Sequence, residues 1–200
     1  MAHIKLNNQM PGIVGLLWTK PKTGKRLSKF ANTLLMGPSS LTSGEREMIA
    51  AYVSSKNDCN FCCNSHSSAA AHHLQGNDEL ISNIKANPAG APVSPKMKAL
   101  LHIAGKVQQG GKQATPEDFE AARKAGATDD DLHDTVLVAA AFCMFNRYVD
   151  GLGTQEPEDK DEYKDMGKRM AEKGYGFPPL LIRKYINWKR NKELEAKKAK

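Results

Sequence analysis

The feature that most constrains the fold of this chain is helical periodicity, which marks nearly every patterned segment of its 200 residues. In TSGEREMIAAYVSS, Thr42 and Glu45 have the spacing of a capping box and predict a helix from about residue 43 to residue 55. No segment shows the strict alternation of apolar and polar residues that is typical of a half-buried strand. The sequence therefore predicts an all-α fold.

Further helix starts are marked by residues that cap the first backbone N–H groups or fix the first turn. These starts are Asp58, Ser94 with Pro95, Thr115 with Pro116, and Thr128 with Asp131. They predict helices over about residues 59–73, 95–107, 116–126 and 129–149. Residues 24–36 and 78–86 have the pattern of an early helix and a short one.

Breakers and charge divide the chain into three parts of a single predicted domain. Residues 1–40 form an N-terminal segment with one helix, residues 41–153 a helical core, and residues 154–200 a charged helical extension. Within the extension, GTQEPEDKDEYKDMGKRMAEKGYGFPP predicts an exposed helix between turns. The last eighteen residues predict an extended C-terminal helix that docks weakly or on a partner subunit.

The net charge of +7 raises the question of nucleic-acid binding, and its distribution argues against it. Six basic and no acidic residues lie in residues 1–30, and eight basic and two acidic residues lie in residues 183–200. The middle of the chain is net acidic and has no basic stripe interleaved with aromatics. The start of the chain lacks the pattern of a secretory signal, and no apolar run is long enough for a membrane span. We expect a soluble, cytoplasmic protein with no nucleic-acid or membrane partner.

The segment NDCNFCCNSHSSAAAHH concentrates three of the four cysteines and three of the six histidines of the chain. A secreted disulfide scaffold spreads its cysteines along the sequence, and a chain of this length can bury a core without cross-links. On a helix, Cys59, Cys62 and His66 share one face, while Cys63 flanks it. Cys143 lies among apolar residues and is interpreted as a packing residue.

Two cysteines three positions apart at a helix start can form a disulfide with little backbone movement, so the pair is redox-competent. A helix N-terminus and a neighbouring imidazole both favour the thiolate, and His66 is placed to accept the proton. A thiolate oxidised to sulfenic acid can be captured by the other cysteine as a disulfide. Helix geometry alone predicts that Cys59 is the more exposed and more acidic sulfur.

The stretch EREMIAAYVSSKNDCNFCCNSH resembles the alkylhydroperoxidase D-like branch of the carboxymuconolactone decarboxylase family. The resemblance rests on Glu47 followed after eleven residues by Cys59, Cys62 and His66 in the order Cys-x-x-Cys-x-x-x-His. The later AAFCMFNRYVDGLGT extends it to roughly residues 11–153. The resemblance implies an all-α helical bundle, a homo-oligomer, and an antioxidant enzyme that reduces hydroperoxides with electrons from a dithiol donor, without a metal or an organic cofactor.

The resemblance also implies a role for each motif residue. Cys62 is then the thiol that attacks the peroxide, Cys59 the resolving thiol, His66 the base, and Glu47 the carboxylate that orients it or relays protons. Some family members have a second histidine between the two cysteines, where this chain has Phe61. One proton-relay group of those members is therefore missing here.

Two other functions remain open. Cys59, Cys62, Cys63 and His66 are soft ligands for zinc, but four ligands from two turns of one helix converge poorly on one ion, and no second ligand pair lies elsewhere. A lactone decarboxylase on the same scaffold would use Glu47 and His66 for proton transfer and would leave the cysteine pair without a role.

Overall fold

The computed structural model describes residues 2–198, and within that range the chain has ten α-helices, one short 3-10 helix and no strand. The all-α prediction is confirmed. The α-helices are α1 (Gly12–Thr19), α2 (Pro21–Met36), α3 (Ser43–Lys56), α4 (Asn60–His73), α5 (Asp78–Ala86), α6 (Pro95–Gln109), α7 (Pro116–Lys124), α8 (Asp129–Gly151), α9 (Glu162–Lys173) and α10 (Leu180–Lys198).

Most helices begin where capping residues predicted them. Thr42 and Glu45 form the capping box of α3, and Thr128 and Asp131 form that of α8. The prediction that Asp58 caps α4 is wrong. Cys59 occupies the N-cap position, and Asp58 has a positive φ of 55° in the turn before it. Helix α4 therefore begins at Asn60, one residue later than predicted.

The first 40 residues contain two helices, α1 and α2, where the sequence predicted one. The backbone at Lys20 leaves the helical region, with φ −119° and ψ 73°, and Pro21 then begins α2. The segment GIVGLLWT of α1 is too short and too uniformly apolar to show a helical period. Its helix was therefore not visible in the sequence pattern.

Helix α3 lies at the centre of the core. Every residue from Arg46 to Ser54 is buried, because α3 packs against α4, α6 and α8. A helix that is buried on all sides is held by its neighbours and needs no polar face of its own. This position places the middle of α3, and with it any functional side chain there, deep inside the molecule.

Helix α9 is not the exposed helix that its charge predicted. It packs closely against α4 and buries Tyr163, Met170 and Ala171. Gly167 allows the approach, because a Cβ atom there would lie 2.6 Å from the carbonyl carbon of Ser68. The apolar positions of α9 recur at helical spacing, but many charged residues between them hide the stripe.

Helix α10 docks on the chain's own N-terminal segment by one face. Asn187 accepts a hydrogen bond from the Gln9 N–H at 2.8 Å, and Arg190 forms a 2.7 Å ion pair with Glu162 of α9. The opposite face exposes Leu181, Tyr185 and Trp188. No helix within residues 2–198 combines the length and the apolar character that crossing a membrane requires.

Candidate active site

The predicted acid and base residues meet between α3 and α4. Glu47 Oε2 and His66 Nδ1 are 2.7 Å apart, although the two residues are 19 positions apart in sequence. Glu47 is fully buried in the middle of α3, and His66 is 9% exposed on α4. A buried carboxylate requires partners, and His66 is one of them.

The contact also fixes the role of each imidazole nitrogen. A carboxylate only accepts hydrogen bonds, so His66 Nδ1 carries the proton that it donates to Glu47. The other nitrogen, Nε2, is then free to accept or hold a proton. The ring itself packs edge-on against Phe142, with centroids 4.5 Å apart. His66 is therefore held in one orientation as a candidate base.

Tyr175 is the second partner of Glu47, and sequence reasoning missed it. Its O–H donates to Glu47 Oε1, and its oxygen lies 3.3 Å from His66 Nδ1. Its ring stacks on the His66 imidazole at a centroid distance of 5.9 Å and an angle of 10°. The three side chains form one hydrogen-bonded group inside the protein.

Tyr175 reaches this position from the segment that follows α9. Gly174 has a positive φ of 67°, which turns the chain back towards α2, and the Tyr175 N–H donates to Asn32 Oδ1 at 2.9 Å. Tyr175 is 128 residues from Glu47 in sequence, and no spacing rule joins them. The one sequence signal was an aromatic residue between two glycines, in GYG.

The two paired cysteines occupy different environments. Cys59 is completely buried at the N-cap of α4, whereas Cys62 is 3% exposed one turn further and lines a cavity with His66. The hydrogen bond between the two sulfurs, followed by burial, raises the pKa of the Cys59 thiol. The same bond lowers the pKa of the Cys62 thiol, as does the charge of His66, although burial opposes both. The prediction that Cys59 is the more exposed and more acidic sulfur is therefore wrong.

Asn146 of α8 is a further site residue that the sequence did not single out. It is buried, accepts from Asn57 Nδ2 at 2.8 Å and donates to the Ser54 hydroxyl at 3.1 Å. A hydrogen bond from its side chain contributes to the lowered pKa of Cys62. It lies in AAFCMFNRYVDGLGT, the segment whose resemblance had no residue assigned to it.

The other candidate ligands do not join the site. Cys63 is half-buried on the flank of α4. Cys143 lies on α8, where its Sγ is 3.7 Å from Asn57 Nδ2. Across residues 2–198, no three His, Cys, Asp or Glu side chains are grouped so that they could hold a metal ion. The geometry gives no support to the zinc alternative.

Cys62 and His66 open onto an apolar cavity of about 340 Å³. Helices α1 and α2 supply one wall, including Val14, Leu17 and Leu27, and α8 and α9 supply another. Phe177 and Pro178 of the segment after α9 also line it. A cavity of this size and apolar character suits a small organic molecule. Cys59 is not among the residues that line it.

Comparison with known proteins identifies a matching family. Residues 21–104 match the model of the carboxymuconolactone decarboxylase family. The matched segment contains Glu47, both paired cysteines and His66, and it ends well before Tyr175. The resemblance predicted from the motif is confirmed. A search of curated proteins gives no match.

Three solved structures share the fold. A peroxidase-related protein from Silicibacter sp. TM1040 is 28% identical, with a TM-score of 0.69 over 77% of this chain and 78% of that chain. A peroxidase-related protein with an alkylhydroperoxidase AhpD core, from Ralstonia eutropha JMP134, is 27% identical, with a TM-score of 0.70 over 80% and 82%. A protein from Agrobacterium tumefaciens, 20% identical with a TM-score of 0.61 over 72% and 97%, supports the fold alone. The alkylhydroperoxidase D-like helical fold is confirmed.

Proposed function

We propose that this chain, whose residues 21–104 carry the segment of the carboxymuconolactone decarboxylase family and whose fold is alkylhydroperoxidase D-like, is a thiol-dependent hydroperoxide reductase. One observation carries the proposal. Cys62, with its lowered pKa, opens onto an apolar cavity beside His66, whose Nδ1 is held by the buried carboxylate of Glu47. The peroxidase-related descriptions of two structural neighbours agree with it.

The first step is attack of the Cys62 thiolate on the outer oxygen of a hydroperoxide, ROOH. The S–O bond forms as the O–O bond breaks, which leaves Cys62 as a sulfenic acid and releases RO⁻. Protonated His66 supplies the proton that converts RO⁻ to the alcohol ROH. Sulfur is oxidised by two electrons, and the peroxide is reduced by two.

The second step converts the sulfenic acid of Cys62 into a disulfide. The Cys59 thiol attacks the sulfenic sulfur of Cys62, forms a disulfide and releases water, with its own proton completing the water molecule. The i, i+3 spacing at a helix start allows this bridge. An external dithiol then reduces the disulfide through thiol exchange and becomes a disulfide itself. We propose a dithiol protein or small dithiol as this donor.

The cavity supports an organic hydroperoxide as substrate. Most of the residues that line it have aliphatic or aromatic side chains, so binding gains from the burial of an apolar R group. Hydrogen peroxide has no such group and gains nothing from these walls. We therefore expect the ratio kcat/KM to be higher for an apolar hydroperoxide than for hydrogen peroxide.

Mass spectrometry of alkylated peptides tests the proposal. The reduced protein receives one equivalent of an apolar hydroperoxide, and free thiols are then alkylated. We expect a Cys59–Cys62 bridge and loss of peroxide consumption in the Cys62→Ser variant. Cys143→Ser is the matched control, since Cys143 lies outside the cavity, and it should consume peroxide like the wild type. A missing bridge, or unchanged consumption by Cys62→Ser, refutes the peroxidase.

A lactone decarboxylase is the second candidate, because the family match and the buried pair of Glu47 and His66 both fit proton transfer to and from carbon. The two functions differ in their need for sulfur. A variant with serine at Cys59 and Cys62 should lose a peroxidase activity but retain a decarboxylase activity. Decarboxylation of a lactone acid by that double variant would favour the second candidate.

A further inference from the structure

We propose that Tyr175 is a positioning residue of this site, which holds the Glu47 side chain in place and through it keeps His66 positioned to support the Cys62 thiolate. The inference rests on the proposed function in that it concerns the same four motif residues. It adds a residue from the C-terminal extension, outside the segment that matches the family model. Phe61, which lies between the two cysteines, has no side-chain donor that could supply this contact.

The contacts of Tyr175 are specific to the acid–base pair. Glu47 has two carboxylate oxygens, and each has one partner: Tyr175 O–H at Oε1 and His66 Nδ1–H at Oε2. The Tyr175 ring covers one side of the His66 ring, and the Phe142 ring meets the imidazole edge-on. The tyrosine therefore constrains both the position of the carboxylate and the plane of the imidazole.

The phenol acts as a donor. Burial, and then the charge of Glu47, raise the pKa of Tyr175 well above its ordinary value, so the hydroxyl keeps its proton throughout the usual pH range. A neutral phenol that faces a carboxylate is the hydrogen-bond donor, and the carboxylate oxygen is the acceptor. Glu47, which is completely buried, is therefore held by a hydrogen bond at each of its two oxygens.

The effect reaches sulfur through a short series of contacts. The hydrogen bond between Nδ1 and Glu47 holds the His66 imidazole in place, and the charge of His66 lowers the pKa of Cys62. Removing the Tyr175 hydroxyl leaves the buried carboxyl group of Glu47 with one donor, so its position is less constrained. His66 is then held less firmly near Cys62, and the Cys62 pKa is expected to rise.

Tyr175 is delivered by a strap, defined here as residues 174–179, that is fixed at both ends. At its start, Asn32 Oδ1 accepts the Tyr175 N–H at 2.9 Å. At its end, Arg183 Nε donates to the Pro178 carbonyl at 3.1 Å, and the guanidinium lies 4.8 Å from the centre of the Phe177 ring. Phe177 and Pro178 also line the cavity. The same segment therefore encloses the cavity and completes the acid–base pair.

The test measures Cys62 reactivity without any peroxide. The reduced protein is treated with neutral iodoacetamide over a range of pH, and alkylation of the Cys62 peptide is followed by mass spectrometry. In Tyr175→Phe, which keeps the ring and removes only the hydroxyl, we expect the profile to move up by about one pH unit. Below the pKa, that shift makes alkylation about tenfold slower, since the thiolate fraction falls tenfold per unit.

Two comparisons separate positioning from general stability. Tyr52→Phe removes the hydroxyl of another largely buried tyrosine on α3, packed against Gly105, and should leave the profile unchanged. In a Glu47→Gln background, Tyr175→Phe should add no further shift, because the tyrosine acts through the carboxylate. An unchanged profile in Tyr175→Phe, or an equal shift with and without Glu47, overturns the proposal.

A second variant covers the case in which Tyr175→Phe does not fold. Asn32 is exposed and holds the strap without touching Glu47 or His66, so Asn32→Ala should move the profile in the same direction by a smaller amount. An unchanged alkylation profile in a folded Asn32→Ala protein would contradict the role of the strap in positioning Tyr175. The alkylation readout also distinguishes the two proposals. If the protein consumes no peroxide but Tyr175→Phe shifts the alkylation profile, this inference stands and the proposed peroxidase function is refuted.

Discussion

The two sulfurs of the Cys-x-x-Cys pair have opposite shifts in acidity although they lie on successive turns of the same helix start. The hydrogen bond between them is shared, so it lowers the pKa of Cys62 while it raises that of Cys59. The charge of His66 also lowers the pKa of Cys62, and Cys62 lines the cavity. The difference supports Cys62 as the attacking thiol and Cys59 as the resolving one.

The division of roles predicts the fate of a single-cysteine variant. In Cys59→Ser, Cys62 can still react with one equivalent of hydroperoxide, but no neighbouring thiol captures the product. We expect sulfenic acid to accumulate at Cys62, where a dimedone adduct detects it by mass spectrometry. The variant should release one alcohol per subunit and then stop. A second cysteine bridging to Cys62 in this variant, most directly Cys63, would contradict the assignment.

Asp131 shows how one side chain fixes the start of a helix. As the capping-box residue of α8 it accepts from the Thr128 N–H at 2.9 Å, and it also accepts from the Ser40 hydroxyl at 2.8 Å. Lys96 Nζ lies 3.3 Å from the same carboxylate. Burial alone would raise the pKa of Asp131, but these hydrogen bonds outweigh it and the pKa is lowered. The carboxylate therefore ties the start of α8 to the loop before α3 and to α6.

We expect Asp131→Ala to lower the free energy of unfolding by about 2 kcal/mol, because the cap and the bond to Ser40 are both lost. The loss depends on pH. A lowered folded pKa stabilises the protein above the unfolded value of about 3.9 and ceases to do so as pH falls through the folded value. Urea unfolding of wild type and variant should therefore differ at pH 7 and converge in strong acid. An equal difference at both pH values would contradict the cap.

At the scale of the element, the contact between α4 and α9 depends on one glycine. A Cβ atom at Gly167 would lie 2.6 Å from the carbonyl carbon of Ser68 and 2.7 Å from the Ala69 nitrogen. Backbone atoms cannot yield as the end of a flexible side chain does. Helix α9 supplies part of the cavity wall, so its distance from α4 also sets the shape of the cavity.

Gly167→Ala should destabilise the protein by about 1–3 kcal/mol, because α9 must move away from α4. The movement should also lower peroxide consumption by displacing the cavity wall. Gly151→Ala is the matched control, since no atom outside the local chain lies within 4 Å of a Cβ atom there. Thermal unfolding measures the first effect and a peroxide assay the second. Equal melting temperatures for the two variants would show that a Cβ atom at residue 167 does not destabilise the packing of α9 on α4.

At the scale of the whole molecule, α10 has two unlike faces. One is bound to the N-terminal segment and to α9, and the other exposes Leu181, Tyr185 and Trp188 at 57–78%. The Tyr185 and Trp188 rings stack on each other with centroids 6.1 Å apart. Contiguous exposed apolar side chains are typical of an interaction surface. We propose this face as the interface of the predicted homo-oligomer.

Substitution of Leu181 and Trp188 by serine should shift the oligomer towards monomer, since two of the three exposed apolar side chains of the proposed interface are lost. Light scattering after size-exclusion chromatography gives the mass of each species. Ile4→Ser, at a 41% exposed apolar residue outside α10, serves as the control. A monomeric wild-type protein, or a double variant with the wild-type mass, would contradict the assignment.

Local rules determined much of this protein from its sequence alone. Capping residues fixed the starts of α3, α6 and α8, and a spacing of eleven residues, then two, then three identified Glu47, Cys59, Cys62 and His66. Both kinds of signal act within one or two helices, where the distance between side chains follows from the sequence spacing. Their predictive power ends at that range.

Only the tertiary structure decided which sulfur faces the cavity, that the charged α9 is packed against α4, and that Tyr175 completes the pair of Glu47 and His66. Each of these depends on where separate helices come to lie. The charges and hydrogen bonds that act on the pKa of Cys62 come from α4 and α8 together, and the contact of Tyr175 with Glu47 spans 128 residues. Sequence spacing carries no information about such contacts, because the packing of the whole core sets them.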